Sequence, residues 1–421
     1  MAQLAIKGGP KTFDDFWPDW PVYGERDEQA LLEVLRSRNW GGFPSPNQRA
    51  REFAAAFAAA HDAAYGICAA NGTVTLEVAL RAAGIRAGDE VIVTPYSWIA
   101  TAGAPVTVGA VPVFADVAPD TYCLDPQAVA AAITPRTRAI IPVHLGCSIA
   151  DLDALGTIAA EHDLVLIEDC AHMHGGKWNG RGVGSHGQLG SFSFQSSKLM
   201  TAGEGGIILT SDDELRQRCE SHVNCGRKEP GYDGFEGLVF SGNYRMTEFQ
   251  AALLHSRLAA LEPERELREH NATHLSGLLA EIDGVAPMRR DARTTHLGCY
   301  QYLFRYDPEA FGGAPRDVFI QALTAEGIPA EGDFYVPIYQ SPLFPVDAER
   351  YPAIRERYGE RIGPDAADCP VAERAAYREA VWLHHPLFMT DSAAMERIAE
   401  AIVKIQRSAD ELRDIDPEGA T

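Results

Sequence analysis

Residues 193–206 read SFQSSKLMTAGEGG, and this stretch places Lys198 between two apolar runs, 189–194 and 207–210, that favour β-strands. The chain contains only six lysines, and most of its basic side chains are arginines, which stay protonated and cannot form an imine. A lysine on a tight, Gly-rich loop between strands is well placed to hold an aldehyde cofactor. Taken alone, such a stretch is more often an ordinary surface loop, so its interpretation depends on the rest of the chain.

Strand-like and helix-like patterns alternate upstream of this loop. The strand-like runs are 65–69, 90–94, 111–115, 138–143 and 164–168, and helical patterns fill the gaps at 73–83, 97–108, 126–133 and 151–162. Further helices are predicted at 27–38, 48–61 and 213–224. Alternation of this kind is typical of α/β proteins with a mainly parallel sheet covered by helices.

The chain is long enough for a large domain and a smaller one. An extended arm rich in Pro and Trp is predicted for residues 1–26, and a long helical region for 247–279, interrupted near Pro263. Beyond residue 284 the pattern changes to a smaller α/β region, with a strand at 300–306 and helices at 316–326 and 392–412. We therefore predict an arm and a large cofactor-binding domain over residues 1–265, and a small C-terminal domain over residues 266–421.

The 421 residues carry a formal charge of −22, from 59 acidic and 37 basic side chains. This charge disfavours nucleic acid and anionic membranes as partners. The eight cysteines form no C-x-x-C pair, so no zinc site, thioredoxin motif or other metal site is predicted. The N-terminus lacks the apolar core of a signal peptide and no run of 18 apolar residues occurs, so we expect a cytoplasmic protein with reduced cysteines.

Three features upstream of the loop suit a flat, phosphorylated cofactor. Asn71, Gly72 and Thr73 join the first strand to the helix after it, where free N–H groups and the helix dipole favour a phosphate; an ordinary helix cap is the alternative. Trp98 stands at the next strand-to-helix junction, where an indole can stack on a ring or belong to the core. Ser193 could donate to the phosphate or simply end its strand.

The apolar run VLIED, 165–169, ends in acidic residues, and Asp169 lies 29 residues before Lys198. Ligands of open α/β sheets bind beyond the carboxyl ends of the strands, which is where we expect this carboxylate. Beside a pyridine nitrogen, a carboxylate favours the protonated ring, which is the electron sink in the chemistry of pyridoxal 5'-phosphate. His172 follows on the same turn, where it could contact the phenolate oxygen of that cofactor or be structural. The residues together predict pyridoxal 5'-phosphate as the cofactor.

Longer motifs occur in order along nearly the whole chain: NGTVTLEVAL, DEVIVTPYSWIAT, IEDCAHMHGG, SFSFQSSKLMTAGEGG and GNYRMTEFQAA. With these motifs the sequence resembles the DegT-type aminotransferases, which depend on pyridoxal phosphate and aminate keto-sugars and cyclitols in antibiotic and polysaccharide biosynthesis. The resemblance implies the aspartate-aminotransferase fold (fold type I), with a mainly parallel sheet in the large domain. It also implies a homodimer with two shared active sites.

The same resemblance assigns roles at the cofactor ring. It implies that Lys198 forms the imine and carries a proton, that Asp169 pairs with the ring nitrogen, and that Trp98 stacks on the ring. His172 takes a position where many relatives have glutamine. A group that can titrate is therefore expected beside the phenolic oxygen.

At the phosphate, the resemblance implies donors from two subunits. Gly72, Thr73 and Ser193 would hold the phosphate from within the chain. Asn243, in the motif GNYRM, corresponds to a residue that reaches the phosphate of the neighbouring active site.

Within the family, the nearest resemblance is to aminotransferases that use L-glutamine and scyllo-inosose or 2-deoxy-scyllo-inosose, through WPDWP, YLFRYDPEAFGG and VWLHH. It implies transfer of an amino group from L-glutamine or L-glutamate to a cyclitol ketone. The alternatives are a nucleotide-sugar aminotransferase, an aminodehydratase similar to 3-amino-5-hydroxybenzoate synthase, and a non-catalytic protein on the same scaffold. The substrate walls are predicted at 39–47, at 333–339 with Tyr335, and at His384 and His385, each of which could instead be structural.

Overall fold

The structure, a computed structural model, describes residues 3–42, 47–227 and 239–416. The strands in these ranges are β1 Tyr65–Ala69, β2 Glu90–Val93, β3 Val111–Phe114, β4 Thr137–Ile141, β5 Val165–Asp169, β6 Lys177–Trp178, β7 Arg181–Gly182, β8 Leu189–Ser193, β9 Gly206–Thr210, β10 Val285–Pro287, β11 Thr294–His296, β12 Gln301–Tyr306 and β13 Ala380–His384. The helices are α1 Glu25–Ser37, α2 Gln48–Ala60, α3 Gly72–Ala82, α4 Ala100–Thr107, α5 Pro126–Ala132, α6 Leu152–Glu161, α7 Asp213–Val223, α8 Glu248–Leu279, α9 Arg316–Ala325, α10 Pro352–Tyr358, α11 Pro370–Arg374 and α12 Ser392–Arg407.

A seven-stranded sheet with the order β1-β9-β8-β5-β4-β2-β3 forms the centre of the molecule. Every neighbouring pair is parallel except those of β9, which runs antiparallel to both β1 and β8. All residues of β2, β3, β8 and β9 are buried, because helices cover the sheet. The predicted α/β class with a mainly parallel sheet is confirmed.

The antiparallel pairing of β8 with β9 explains the shape of the loop that carries Lys198. Ser193 pairs with Gly206, so the two ends of the stretch that the sequence singled out lie side by side. Gly206 cannot be replaced without movement, because a Cβ there would lie 2.6 Å from the backbone of Asn71. The end of β1 and the start of β9 are thus packed directly against each other.

Helix α8 corrects one prediction, because Pro263 does not interrupt it. The helix begins with a capping box between Thr247 and Gln250 and continues through the proline. A proline inside a helix costs about 3 kcal/mol. The cost is offset by packing on both sides of it, since α8 contacts α1, α2 and α12, the first two through residues before Pro263, such as Arg257 and Glu248, and the last through residues after it, such as His274. Buried residues such as Leu254 and Leu275 lie on either side of the proline.

The C-terminal region forms a second, antiparallel sheet with the order β10-β12-β13, and β11 joins β6 and β7 in a small third sheet. The predicted helix 392–412 consists of α12 and a separate one-turn segment at Ala409–Leu412. The predicted domain division at residue 265 stays a prediction, and α8 runs across it. The N-terminal arm contacts the C-terminal region. The Ala5 N–H and both the N–H and the hydroxyl of Thr12 donate to the carboxylate of Glu326.

Within the predicted arm, residues 11–24 contain neither helix nor strand, whereas Ala5–Lys7 form one helical turn and α1 begins at Glu25. All eight cysteines lie in the described ranges and none is in a disulfide. In the same ranges, no helix combines the length and the apolar character that crossing a membrane requires.

Candidate active site

A cavity of about 920 Å³ opens at the carboxyl ends of the parallel strands, between the large sheet and the C-terminal region. Its position agrees with the rule for open α/β sheets. The structure brings together most of the predicted site residues, because the cavity is lined by Gly72, Thr73, Trp98, Asp169, His172, Ser193, Lys198, Tyr335 and His384.

Lys198 is buried in the wall of this cavity, with 9% of its surface exposed. Its Nζ lies 4.1 Å from the centroid of the Tyr300 ring, which comes from the C-terminal region. Tyr300 is fixed in turn by a 2.6 Å hydrogen bond between its hydroxyl and that of Ser197. Burial lowers the pKa of Lys198 to about 8, against an opposing effect of the Asp169 charge. The amine can therefore both take up and release a proton near neutral pH.

Asp169 is the last residue of β5, and its carboxylate is held in a defined orientation. The hydroxyl of Thr101 donates to Oδ2 over 2.9 Å, and the Ala171 N–H donates to Oδ1 over 3.3 Å. Burial raises the pKa of Asp169, and the hydrogen bonds from Thr101 and Ala171 oppose the increase. Asp169 makes no ion pair within the described ranges, although the Lys198 charge acts on it, so this buried carboxylate is suited to bind a protonated ring nitrogen.

The start of α3 has the features of a phosphate site. Asn71 caps the helix by accepting from Val74 N–H over 3.0 Å, and the first N–H groups of the helix, at Gly72 and Thr73, lie at the cavity. Gly72 allows a close approach, because a Cβ there would lie 2.6 Å from the Cβ of Ser193. These residues fit the phosphate group of the predicted cofactor.

His172 has both ring nitrogens in contact with protein groups. The Gly146 N–H donates to Nδ1 over 3.3 Å, which leaves the proton on Nε2, 3.1 Å from the hydroxyl of Tyr335. Burial and the charge of Lys198 hold the pKa of His172 well below its usual value, so the imidazole is neutral. The contact of His172 with the phenolic oxygen of the cofactor stays a prediction. Tyr335 lies beside His172 in the cavity lining.

The two histidines of the VWLHH motif have different surroundings. His384 lines the cavity, whereas His385 is buried behind the Lys198 loop, where its Nε2 lies 3.0 Å from the Ser197 carbonyl. The Trp20 ring packs edge-on against His385 at 4.6 Å, and its Nε1 donates to the Ser196 carbonyl. His385 and the N-terminal arm thus support the loop from behind.

Two predicted site regions are not in the cavity of their own chain. Asn243 is exposed and does not line it. Of the predicted wall at 39–47, residues 43–46 are outside the described ranges, and the others do not line the cavity.

The cavity lining also includes Thr101, Tyr300 and Glu331, which the sequence analysis did not single out. Thr101 follows Trp98 by three residues in the motif DEVIVTPYSWIAT. In a helix this spacing places both side chains on one face, so the predicted helix 97–108 could have identified Thr101 as a cavity residue. Tyr300 and Glu331 follow no motif that links them to Lys198.

A buried polar cluster behind Asp169 is structural. Glu168 accepts from the backbone N–H groups of Gly184 and Gly187, each over 2.7 Å, and lies 3.2 Å from His144 Nε2. The Ala150 N–H donates to the other nitrogen of His144. Although Cys170 is close enough to complete a possible metal-ligand set, protein hydrogen bonds already satisfy the carboxylate and the imidazole.

The fold and the site agree with a match to a protein family. Residues 21–403 match the model of the DegT/DnrJ/EryC1/StrS aminotransferase family. This range includes every residue that lines the cavity. The chain belongs to this family. It is therefore an aminotransferase, as the motifs implied.

The relatives in this family extend over the full chain. A protein of Streptoalloteichus tenebrarius, to which the activity of an L-glutamine:3-amino-2,3-dideoxy-scyllo-inosose aminotransferase is provisionally assigned, is 49% identical over 98% of this chain and 100% of its own. The L-glutamine:scyllo-inosose aminotransferase of Streptomyces griseus is 41% identical over 96% and 97%.

Among solved structures, 3-amino-5-hydroxybenzoic acid synthase superposes with a TM-score of 0.82 at 34% identity, over 93% of this chain and 99% of that one. This similarity confirms the predicted fold of the DegT/DnrJ/EryC1/StrS aminotransferases. Members of the family depend in general on pyridoxal phosphate.

Proposed function

We propose that this aminotransferase moves the amino group of L-glutamine to a cyclitol ketone. The first candidate for the acceptor is 3-amino-2,3-dideoxy-scyllo-inosose, with scyllo-inosose and 2-deoxy-scyllo-inosose as the neutral alternatives. The names of the relatives support the substrate class. The order of the candidates rests on the charge of the cavity.

One observation carries the choice of acceptor. Among the described residues that line the cavity, Lys198 is the only lysine or arginine, and Glu204 and Glu331 add negative charge at its mouth. A diphosphate needs fixed cations, for which arginine is the usual donor. The cavity of one chain is therefore poorly suited to a nucleotide sugar and well suited to a neutral or cationic ring.

The cofactor of this proposal is pyridoxal 5'-phosphate. When bound, it supplies an aldehyde that exchanges with amines and a ring that withdraws electrons from the substrate carbon. Lys198 holds it and carries the proton between carbon atoms, a role that an amine of pKa about 8 can fill. Asp169 binds the ring nitrogen, Trp98 covers one face, and the start of α3 binds the phosphate.

The rest of the site positions these groups. Tyr300 covers the Lys198 amine and excludes water from it, which contributes to the lowered pKa. Tyr335, which accepts the proton of neutral His172, has its own O–H free to donate to a ligand. Glutamine leaves as its 2-keto acid, and the acceptor ketone leaves as an amine.

A homodimer with shared sites completes the proposal. Asn243 is exposed outside the cavity of its own chain, and the Trp98 side chain at the cavity is 49% exposed. Both positions suit an active site that a second subunit covers. Mixing the inactive variants Lys198→Ala and Asn243→Ala is expected to restore part of the activity after subunit exchange. Full activity of a monomer would contradict the shared site.

The function is tested by a screen of acceptors with the purified protein, pyridoxal phosphate and L-glutamine. The three cyclitol ketones and a nucleotide-linked 4-keto-sugar are compared, and the amine products are measured by mass spectrometry, with Lys198→Ala as the control. We expect amination of at least one cyclitol ketone. Amination of the nucleotide sugar alone, or an aromatic amine formed by dehydration, would overturn the proposal.

A further inference from the structure

Glu331 is held at the mouth of the cavity by its backbone. Its N–H donates to the Trp382 carbonyl over 3.0 Å, and the Trp382 N–H donates back over 2.8 Å, which adds residue 331 to the edge of β13. The next carbonyl, of Gly332, accepts from the buried guanidinium of Arg316 over 2.7 Å. The Glu331 side chain therefore starts from a fixed position on the C-terminal sheet.

This carboxylate has no ion pair or side-chain hydrogen bond within the described ranges. Two buried glutamates of the chain are paired, by contrast. Glu326 binds Lys404, Thr12 and the Ala5 N–H, and Glu90 binds two arginines. Although Glu331 is an exposed residue, desolvation of its carboxylate and the nearby charge of Asp333 raise its pKa, and no cation among the described residues pairs with it. A bound cation would relieve this imbalance.

The Glu331 side chain lines the same cavity as the reacting amine of Lys198. The Lys198 amine lies against the face of the Tyr300 ring. Burial raises the pKa of Tyr300, its hydrogen bond with Ser197 lowers it, and the charge of Glu331 raises it again, in agreement with the place of both Tyr300 and Glu331 in the cavity lining. A small ring whose ketone faces Lys198 would thus have another of its substituents beside Glu331.

We propose that Glu331 binds the ammonium group of an amine-bearing cyclitol ketone and so selects it over neutral cyclitols. This inference rests on the proposed function and adds a residue that determines its specificity. An ion pair with hydrogen bonds is directional, and the Glu331 backbone is held by β13, so the contact also decides which ring carbon is presented to Lys198. The same charge disfavours anionic acceptors.

The test compares kcat/KM of the wild type and Glu331→Gln for 3-amino-2,3-dideoxy-scyllo-inosose and for 2-deoxy-scyllo-inosose. Glutamine is nearly isosteric with glutamate and removes only the charge. We expect kcat/KM to fall about ten- to a hundredfold for the amine-bearing ketone, the usual effect of losing a charged hydrogen bond, and less than about threefold for the neutral one. Glu309→Gln, an exposed change outside the cavity, is the matched control.

Two further measurements separate the possible failures. The reaction of the holoenzyme with L-glutamine alone, followed by cofactor absorbance, is expected to be unchanged in Glu331→Gln, because no acceptor takes part. The wild-type KM for the amine-bearing ketone is expected to rise with salt and that for the neutral ketone to stay constant. An equal loss for both ketones, or no loss for either, would overturn the role of Glu331.

Inhibition by unreactive ligands keeps the inference separate from the proposed function. If the wild type aminates none of the three cyclitol ketones, the proposed function fails. The role of Glu331 is then judged from the inhibition constants of an amino-inositol and myo-inositol, measured by the slowing of the glutamine reaction. A preference for the amino-inositol that Glu331→Gln abolishes supports the ammonium site. Equal inhibition by the two ligands in the wild type refutes it.

Discussion

The hydrogen bond from Thr101 to Asp169 offers a sharp test of the site, because neither partner is exposed and only one atom needs to change. Thr101→Val replaces the hydroxyl by a methyl group of similar size. It removes the 2.9 Å donor from Oδ2 and leaves the 3.3 Å contact from the Ala171 N–H. Since Thr101 opposes the effect of burial, its loss is expected to raise the pKa of Asp169 further. A carboxyl group that holds its own proton cannot hold that of a ring nitrogen.

The size of the effect follows from the strength of such bonds. A hydrogen bond to a charged group contributes about 1.5–3 kcal/mol, and each 1.4 kcal/mol of barrier corresponds to about tenfold in rate. We therefore expect the rate of the reaction with L-glutamine to fall about ten- to a hundredfold. The assay is a stopped-flow measurement of cofactor absorbance under single-turnover conditions, with the cofactor content of each variant matched. The acid limb of the pH profile should also move to higher pH.

Two controls isolate the hydroxyl. Thr101→Ser keeps the donor and should stay within about threefold of the wild type. Thr107→Val removes a hydroxyl that donates to the Ala104 carbonyl in the same helix, outside the cavity, and should have no effect on the rate. If Thr101→Val reacts at the wild-type rate, or if Thr101→Ser is equally impaired, the hydrogen bond does not control Asp169 and this reasoning is wrong.

Three other changes test the remaining groups. Gly72→Ala places a Cβ 2.6 Å from the Cβ of Ser193, so the dissociation constant of the cofactor should rise about tenfold or more in equilibrium dialysis. Gly156→Ala is the control: the space around its Cβ is open, so the dissociation constant should not change. In the cofactor-free protein, Lys198 binds fewer protons in the folded state than in the unfolded state between pH 8 and 10.5, so the wild type gains stability as the pH rises through that window. Lys198→Met should therefore have a free energy of unfolding about 3 kcal/mol higher than the wild type at pH 7, measured by urea unfolding. The difference between the two proteins should shrink above pH 8. A constant difference across that range would refute the lowered pKa. Asp169→Asn should slow the reaction with glutamine about a thousandfold or more, about 4 kcal/mol of barrier; a wild-type rate would contradict its pairing with the ring nitrogen.

Much of the fold was predictable because its strands are buried on both faces. The run 111–115 is apolar throughout, the run 189–194 is mostly apolar, and they coincide within one residue with β3 and β8, which are fully buried. The direction of β9 was not predictable, because an apolar run has the same pattern in a parallel and an antiparallel strand. The continuity of α8 was missed for a related reason. The preference of Pro263 is local, whereas the contacts with α1, α2 and α12 that override it are tertiary.

The site divides in the same way. Residues that follow a strand of the main sheet, such as Asp169 and Gly72, were predictable because the carboxyl ends of parallel strands meet at one edge. Tyr300 lies 102 residues after Lys198 and reaches it only because the C-terminal sheet packs against the loop. The histidine pair was predicted as one feature, yet His384, the last residue of β13, faces the cavity, and His385, the first residue of the helical turn that follows, lies behind the loop.

The packing of the two sheets also sets the chemistry of Lys198. Desolvation is the main cause of its lowered pKa, and Asp169, from the large sheet, pulls the pKa in the opposite direction. Tyr300, which contributes to that desolvation, comes from the C-terminal region, and His385, from the end of β13, supports the loop from behind. The amine is therefore poised near neutral pH only while the two regions are in contact. Any movement that separates Tyr300 from the loop admits water and returns the pKa of Lys198 towards 10.5. The amine is then already protonated at pH 7, so it cannot take up a further proton. In this protein, the position of the C-terminal region relative to the large sheet is part of the acid–base machinery.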